Sequence, residues 1–314
     1  MRIVFLGSSQ FAVFPLRKLC ESGEEIAAVV TAPDKPRGRG RKLSKTPVKE
    51  AAESLSLRVY QPYSLRTEEA VNFISSLLPE IIIVAAFGKI LPGNILTLPS
   101  RGAINLHPSL LPELRGPAPI PWAIILGKDK TGVTTIFMDE GIDTGDIILQ
   151  EEADILPRDT AFTLEQRLSE QGAGLLLKTL ELIKRGNPPR SPQVGIPTYA
   201  SFLSKKMGKI DWRKSAREIH NLVRGLNPWP TAYTFLEGKR LILWSLGVVC
   251  EEDRVGEPGE VIEVERESIL VAAGKGMVSL QEVQLEGKKR LPVRDFLRGY
   301  RMEKGMKIGM EVKR

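Results

Sequence analysis

A chain of 314 residues, 42% apolar and 26% charged, has the make-up of an ordinary globular protein of about two domains, which excludes a disordered or fibrous polymer. Only Cys20 and Cys250 are cysteines, far apart and in no spaced motif, so neither a disulfide framework nor a thiolate metal site is suggested. The net charge of +7 is concentrated: residues 35–49 hold Lys35, Arg37, Arg39, Arg41, Lys42, Lys45 and Lys49, residues 184–209 hold Lys184, Arg185, Arg190, Lys205, Lys206 and Lys209, and neither stretch contains an acid. Such clusters suit either a phosphate backbone or a solvated face, and charge alone does not choose between them.

The chain opens with the strand Arg2–Leu6, whose apolar core is too short for a signal peptide and lacks the character of a transit peptide. No apolar run approaches the roughly 20 residues of a membrane-spanning helix, and a cytoplasmic address is expected. A helix over 11–22, a strand at Ile26–Thr31, the basic loop, a helix over 47–55, a short strand at Arg58–Tyr60 and a helix over 67–78 follow. Glu80–Phe87 (EIIIVAAF) is apolar on both faces, as a buried parallel strand requires. Next come the strand GAINLH, a helix over Pro119–Leu126, strands at Thr131–Met138 and Asp146–Asp154, and a long helix over 161–185. This alternation predicts a doubly wound α/β domain with ligands at the carboxyl ends of its strands. The proline-rich stretch GNPPRSPQVGIPTYASFLSKKMGK reads as a linker. Beyond it stand a helix over Ser215–Arg224, the turn GLNPWP, and short strands near 232–237, 240–249, 259–265, 268–273 and 277–285, a pattern suited to a small β-barrel of OB type. Arg294, Arg298, Arg301 and Lys304 would put a cationic stripe on a C-terminal helix, with a solvated face as its ordinary explanation.

Within INLHPSLLP (104–112), Asn105 and His107 stand two residues apart and therefore project from the same face of a strand. Pro108 cannot donate to the ladder, so it ends the strand just after the histidine. An imidazole suits proton transfer near neutrality, and an amide suits a developing oxyanion. A metal site is disfavoured, because the second histidine, His220, belongs to the other domain. A satisfied structural histidine remains the competing reading of the strand pattern. In MDEGIDTGDI (138–147), Gly141 and Gly145 frame a tight loop that presents Asp143. That carboxylate could orient the imidazole or simply make Asx-turn bonds, and Asp146, at the entry to a strand, is the weaker candidate. Neither a G-x-G-x-x-G fingerprint, a phosphate-binding G-x-x-x-x-G-K-[ST] loop nor a G-x-S-x-G elbow occurs, so no nucleotide cofactor and no covalent nucleophile are expected.

N-x-H-x-SLLP-x-x-RG (Asn105–Gly116) and M-D-x-G-I-D-T-G-D (Met138–Asp146) resemble the folate-dependent formyltransferases. The resemblance implies a Rossmann-like, doubly wound N-terminal formyltransferase domain with a small C-terminal OB-like barrel. Its boundaries would be 1–188 for the catalytic domain, 189–208 for a basic linker and 209–314 for a tRNA-binding domain. It makes Asn105, His107 and Asp143 the catalytic set and lays Ser109, Leu110, Leu111 and Pro112 along the folate site.

Family members acting on glycinamide ribonucleotide would stop near residue 200, whereas this chain continues. APDKPRGRGRKLSKTPVK looks like the tRNA-contacting loop of the members that act on methionyl-initiator tRNA, and Asp211-Trp212 and Asn227–Pro230 also match them. The implied reaction moves a formyl group from 10-formyltetrahydrofolate, as co-substrate, to the α-amino group of methionine on initiator tRNA, with no metal. The implied tRNA contacts are Arg37, Arg39, Arg41, Lys42, Lys205, Lys206 and Lys209, with Arg39 aligned best to the family's functional arginine. A monomer without membrane association is expected. The rivals are a formyltetrahydrofolate hydrolase, in which water replaces the amine, and a non-catalytic RNA-binding protein; a sugar-nucleotide formyltransferase would have no need of so basic a loop.

Overall fold

The computed structural model describes residues 1–37, 42–252 and 255–309, and the chain forms two compact units. The first comprises Met1–Pro119, Lys130–Asp154 and Leu164–Ser201, and the second Ile120–Asp129, Ile155–Thr163 and Phe202–Arg314.

The strands in chain order are β1 (Arg2–Gly7), β2 (Glu25–Val30), β3 (Lys35–Arg37), β4 (Lys42–Ser44), β5 (Val59–Tyr60), β6 (Ile81–Ala85), β7 (Ala103–His107), β8 (Lys130–Phe137) and β9 (Ile147–Asp154). The helices are α1 (Val13–Glu21), α2 (Pro47–Ser54), α3 (Glu68–Ser76), the single turn α4 (Gly93–Leu96), α5 (Pro119–Ile125) and α6 (Ala161–Lys184). Thr46 and Thr67 start α2 and α3 by accepting the backbone N–H of Lys49 at 3.0 Å and of Ala70 at 3.3 Å.

Seven strands form one sheet in the order β5-β2-β1-β6-β7-β8-β9. The first five run parallel, while β8 and β9 are antiparallel, so the doubly wound sheet is mixed and finishes in a hairpin rather than a further crossover. Every residue of β6 and β7 is buried, which explains their unbroken apolar character. β9, at the sheet edge, alternates between half-buried and exposed positions from Leu149 onward. The chain moves outward from β1 through β2 to β5 and then returns to β6 on the other side of β1, which opens the switch-point crevice at the carboxyl ends of these strands. His107, the last residue of β7, stands at that end of the sheet.

The basic stretch contains a feature that its sequence hides. β3 and β4 pair antiparallel, with Lys35 opposite Ser44 and Arg37 opposite Lys42, so an arm expected as a loop is a hairpin at its base. Arg39 and Arg41 lie outside the described residues, as do the side chains of Arg37 and Lys42.

In the second unit α7 (Ala216–Gly225) precedes β10 (Ala232–Leu236), β11 (Lys239–Cys250), β12 (Val261–Val264), β13 (Ile269–Ala272), β14 (Met277–Leu285), β15 (Leu291–Pro292) and α8 (Val293–Gly299). The strands make a six-stranded antiparallel sheet in the order β10-β11-β14-β13-β12, with β15 on β14. Repeated register shifts between β11 and β14 bend the pair, as a small barrel-like unit needs. Trp212 is buried against this sheet and donates its indole N–H to Thr234 Oγ1 at 2.9 Å. Residue 309 must be glycine there, since a Cβ would stand 3.0 Å from the indole at φ +115°. The cationic stripe expected on the C-terminal helix does not extend along it: α8 ends at Gly299, and Arg301, beyond it, pairs with Glu303 at 2.6 Å.

Among the described residues no helix is long and apolar enough to cross a membrane, and no group of three or more His, Cys, Asp or Glu could hold a metal ion.

Candidate active site

The register of β7 delivers Asn105 and His107 to the same crevice, 9% and 4% exposed. Asp143 reaches them from the loop between β8 and β9. Asn105 Nδ2 donates to Asp143 Oδ1 at 3.0 Å, and His107 Nδ1 lies 3.6 Å from Asp143 Oδ2. The same Oδ2 accepts the backbone N–H of Gly116 at 2.8 Å. The three side chains named from sequence therefore meet around one carboxylate, and the RG end of the first motif contributes a backbone donor.

The imidazole has a defined orientation. Nε2 is 3.0 Å from the carbonyl oxygen of Leu114, and a carbonyl only accepts, so Nε2 carries the proton of that bond. Nδ1 is then left with its lone pair, and it faces Asp143. Asn105 commits one amide N–H to the carboxylate and keeps a second donor with no partner among the described residues.

The loop carrying Asp143 needs its glycines for steric reasons. A Cβ at 145 would sit 1.6 Å from the carbonyl oxygen of Phe137, and one at 141 would sit 2.0 Å from Thr144 Oγ1. Asp143 itself adopts φ +53° and Leu114 adopts φ +58°, left-handed conformations that cost about 1–3 kcal/mol and persist only where surrounding contacts offset that cost. Those holding contacts come from residues 191–200. Gln193 donates to the carbonyls of Asp143 and Gly145, and Thr198 Oγ1 accepts the N–H of Leu114. Sequence reasoning missed both, because they lie 50 and 84 residues from the groups they hold, in a stretch without periodicity.

The SLLP segment is fixed from inside. Ser109 Oγ donates to the Glu113 carbonyl at 2.5 Å, Thr134 Oγ1 donates to the Ser109 carbonyl at 2.6 Å, and Gln150 Nε2 donates to the Leu111 carbonyl at 3.0 Å. Ser109 and Leu111 are buried, while Leu110 and Pro112 are half-buried. The segment thus offers an apolar edge beside Asn105 and His107. Glu165, on α6, accepts the N–H of Phe11, in the turn that follows β1, at 3.1 Å, and burial pushes its carboxyl above the usual range.

In the second unit Lys205 and Lys206 are exposed on a turn at Lys205–Gly208, and Lys209 lies over the Phe235 ring at 5.5 Å. His220, on α7, borders a separate cavity of about 570 Å³ lined by Arg217, Cys250 and Glu251.

An amide donor, an oriented imidazole and a carboxylate at the carboxyl end of a mixed sheet define a group-transfer enzyme of the Rossmann-like class. The chain belongs to the formyl transferase family: residues 1–180 match the family described as "Formyl transferase" and residues 203–301 match "Formyl transferase, C-terminal domain". It is 48% identical over 309 residues to the methionyl-tRNA formyltransferase of Pelotomaculum thermopropionicum, covering 98% of this chain and 99% of that one. Over 310 residues it is 47% identical to the methionyl-tRNA formyltransferase of Geobacter sulfurreducens, covering 98% and 97%. Among solved structures, HypX from Aquifex aeolicus with tetrahydrofolic acid superimposes with a TM-score of 0.64 at 19% identity, covering 95% of this chain and 47% of HypX. WlaRD, a sugar 3N-formyl transferase, superimposes with a TM-score of 0.65 at 21% identity, covering 92% and 99%. At such identities the two structures speak for the fold alone.

Proposed function

We infer that this chain transfers the formyl group of 10-formyltetrahydrofolate to the α-amino group of methionine on initiator tRNA, preparing it for translation initiation. The observation that carries this reading is the 48% identity, sustained over almost the whole of both chains, to a protein named for methionyl-tRNA formylation.

The chemistry follows from the site. The folate supplies the formyl carbon and the departing nitrogen. Attack by the neutral amine forms the new C–N bond and places negative charge on the formyl oxygen, toward which the second N–H of Asn105 is available to donate. His107 Nδ1 accepts the proton that the attacking nitrogen must lose, beside the Asp143 carboxylate at 3.6 Å. That proton then passes to the departing nitrogen as the old C–N bond breaks, so no net charge is left in the pocket. Leu110 and Pro112 would flank the folate, with the buried Ser109 and Leu111 holding the segment in shape.

Residues 1–188 serve as the catalytic domain, 209–314 as the tRNA-binding domain and 189–208 as the basic segment that leads from one to the other, its part up to Ser201 packed into the first unit. Arg37, Arg39, Arg41 and Lys42 of the basic stretch 35–49, with Lys205, Lys206 and Lys209, would contact the tRNA. The enzyme works as a monomer in the cytoplasm.

The test supplies 10-formyltetrahydrofolate with methionyl-initiator tRNA and, separately, with buffer alone. Formyl-methionyl-tRNA is the expected product. Folate release at the same rate without tRNA would overturn the reading in favour of a hydrolase.

A further inference from the structure

Two non-glycine residues of the active site hold left-handed backbone conformations, and one short segment of the chain grips both. Asp143 (φ +53°) carries the carboxylate at the centre of the site. Leu114 (φ +58°) carries the carbonyl that fixes the His107 tautomer. The conformation is a costly one for leucine, and aspartate, which visits it more readily, still has its main wells elsewhere.

Gln193 supplies the first grip. Its Nε2 donates to the carbonyls of Asp143 at 2.8 Å and Gly145 at 2.9 Å, using both amide hydrogens. Its Oε1 accepts from Arg115 Nε at 3.1 Å and Nη2 at 2.7 Å, using both lone pairs. With two acceptors at one end and two donors at the other, only one orientation of the amide is satisfied. Thr198 supplies the second grip, accepting the Leu114 N–H at 2.8 Å through Oγ1. Backbone bonds reinforce it: Arg115 N–H donates to the Thr198 carbonyl at 2.9 Å, and Ala200 N–H donates to the Arg115 carbonyl at 2.8 Å.

We propose that Gln193 and Thr198 are positioning residues for formyl transfer, Gln193 setting the Asp143 carboxylate and Thr198 setting the Leu114 carbonyl that commits His107 to react through Nδ1. The proposal rests on the function inferred above. Its chemical content is specific: Gln193 acts through its two amide hydrogens, and Thr198 through one acceptor lone pair.

The experiment compares conservative pairs in the full-length protein. Gln193→Glu keeps size and the Arg115 contact but sets an acceptor against two carbonyls. Thr198→Val keeps shape but loses the acceptor, and Thr198→Ser keeps the acceptor. Kinetics with 10-formyltetrahydrofolate and methionyl-initiator tRNA should show kcat reduced on the order of 10²-fold in Gln193→Glu and about 10-fold or more in Thr198→Val. KM for tRNA should stay within about twofold of the parent, thermal midpoints should stay close to it, and Thr198→Ser should retain parental kcat.

Parental kcat in Gln193→Glu, equal damage in Thr198→Ser and Thr198→Val, or losses confined to KM would overturn the proposal. A second readout does not depend on turnover. The chain has two histidines, so the ¹⁵N shifts of His107 are assignable, and its neutral form should be the Nε2–H tautomer in the parent and a mixture in Thr198→Val. An unchanged tautomer in Thr198→Val would overturn the Thr198 half. A parent protein that forms no formyl-methionyl-tRNA would instead refute the functional reading and leave the tautomer experiment to judge the positioning.

Discussion

Gly116 gives its backbone N–H to Asp143 Oδ2 at 2.8 Å, and a Cβ on the same residue would stand 2.9 Å from the Ala200 carbonyl oxygen. Glycine at 116 thus serves two demands at once, since its φ of +113° is also one that side chains rarely adopt. Gly116→Ala should push the chain away from Ala200 and pull the N–H off the carboxylate. A displacement of about 1 Å at this position is expected to lower kcat on the order of 10²-fold. Steady-state kinetics beside a melting curve tests this, and a folded Gly116→Ala protein with parental kcat would contradict it.

Both oxygens of Asp143 accept, one from Asn105 and one from Gly116. Asp143→Asn matches the parent in shape but sets an amide donor against another donor unless Asn105 turns its own amide over, which takes its second N–H away from the formyl oxygen. We expect Asp143→Asn, Asn105→Ala and His107→Ala each to reduce kcat by roughly 10²–10³ or more, with folate and tRNA binding retained. Pre-steady-state formylation together with equilibrium binding checks this. Near-normal turnover in Asn105→Ala or His107→Ala would remove that residue from the chemistry.

The pairing of Asn105 with His107 was legible because strand periodicity forces residues two apart onto one face, and Pro108 marks where the strand ends. The sheet was legible for the same reason, with runs such as IIIVA declaring their burial on both sides. What holds the site was not legible. The Leu114 carbonyl is a backbone group with no side-chain signature, and Gln193 and Thr198 act across long sequence separations from a proline-rich stretch read as a linker. The β3–β4 hairpin escaped notice because KPR and KLS carry no β-branched alternation and pair only with each other. At the C-terminus, cation spacing suggested a longer helix than the chain forms, since Gly299 ends α8 before Arg301 and Lys304.

Lys205 and Lys206 are exposed cations on a turn that begins the second unit's share of the chain after residue 201. If they meet phosphates, each contact releases condensed counterions, and binding must weaken with salt. Replacing both by alanine should lower the slope of log affinity against log salt by about 1–2 and weaken initiator and elongator tRNAs alike. Filter binding from 50 to 300 mM salt, on the order of the physiological range, measures the slope. An unchanged slope would take these two lysines out of the interface.

His220 sits on α7, and its imidazole is held down to about 4 from an ordinary 6.5, first by burial and then by the Arg224 and Arg217 charges, which outweigh the opposing pull of Asn221 and Glu251. Arg217 is itself paired with Glu251 across the neighbouring cavity. Because the folded value lies below the unfolded one, the unfolded chain takes up this proton first. The contribution of His220 to stability is therefore complete above about pH 6.5 and is lost as the pH falls toward 4. The ring is only partly buried, and solvent screens the two arginines, so the loss should be about 1–2 kcal/mol rather than the full value of the shift. His220→Gln removes the titration while keeping a neutral polar side chain. Its melting temperature should fall less steeply than the parent's between pH 7 and 4.5, as urea or thermal unfolding at matched ionic strength will show. Parallel pH profiles for the two proteins would mean that His220 does not carry the acid sensitivity of this unit.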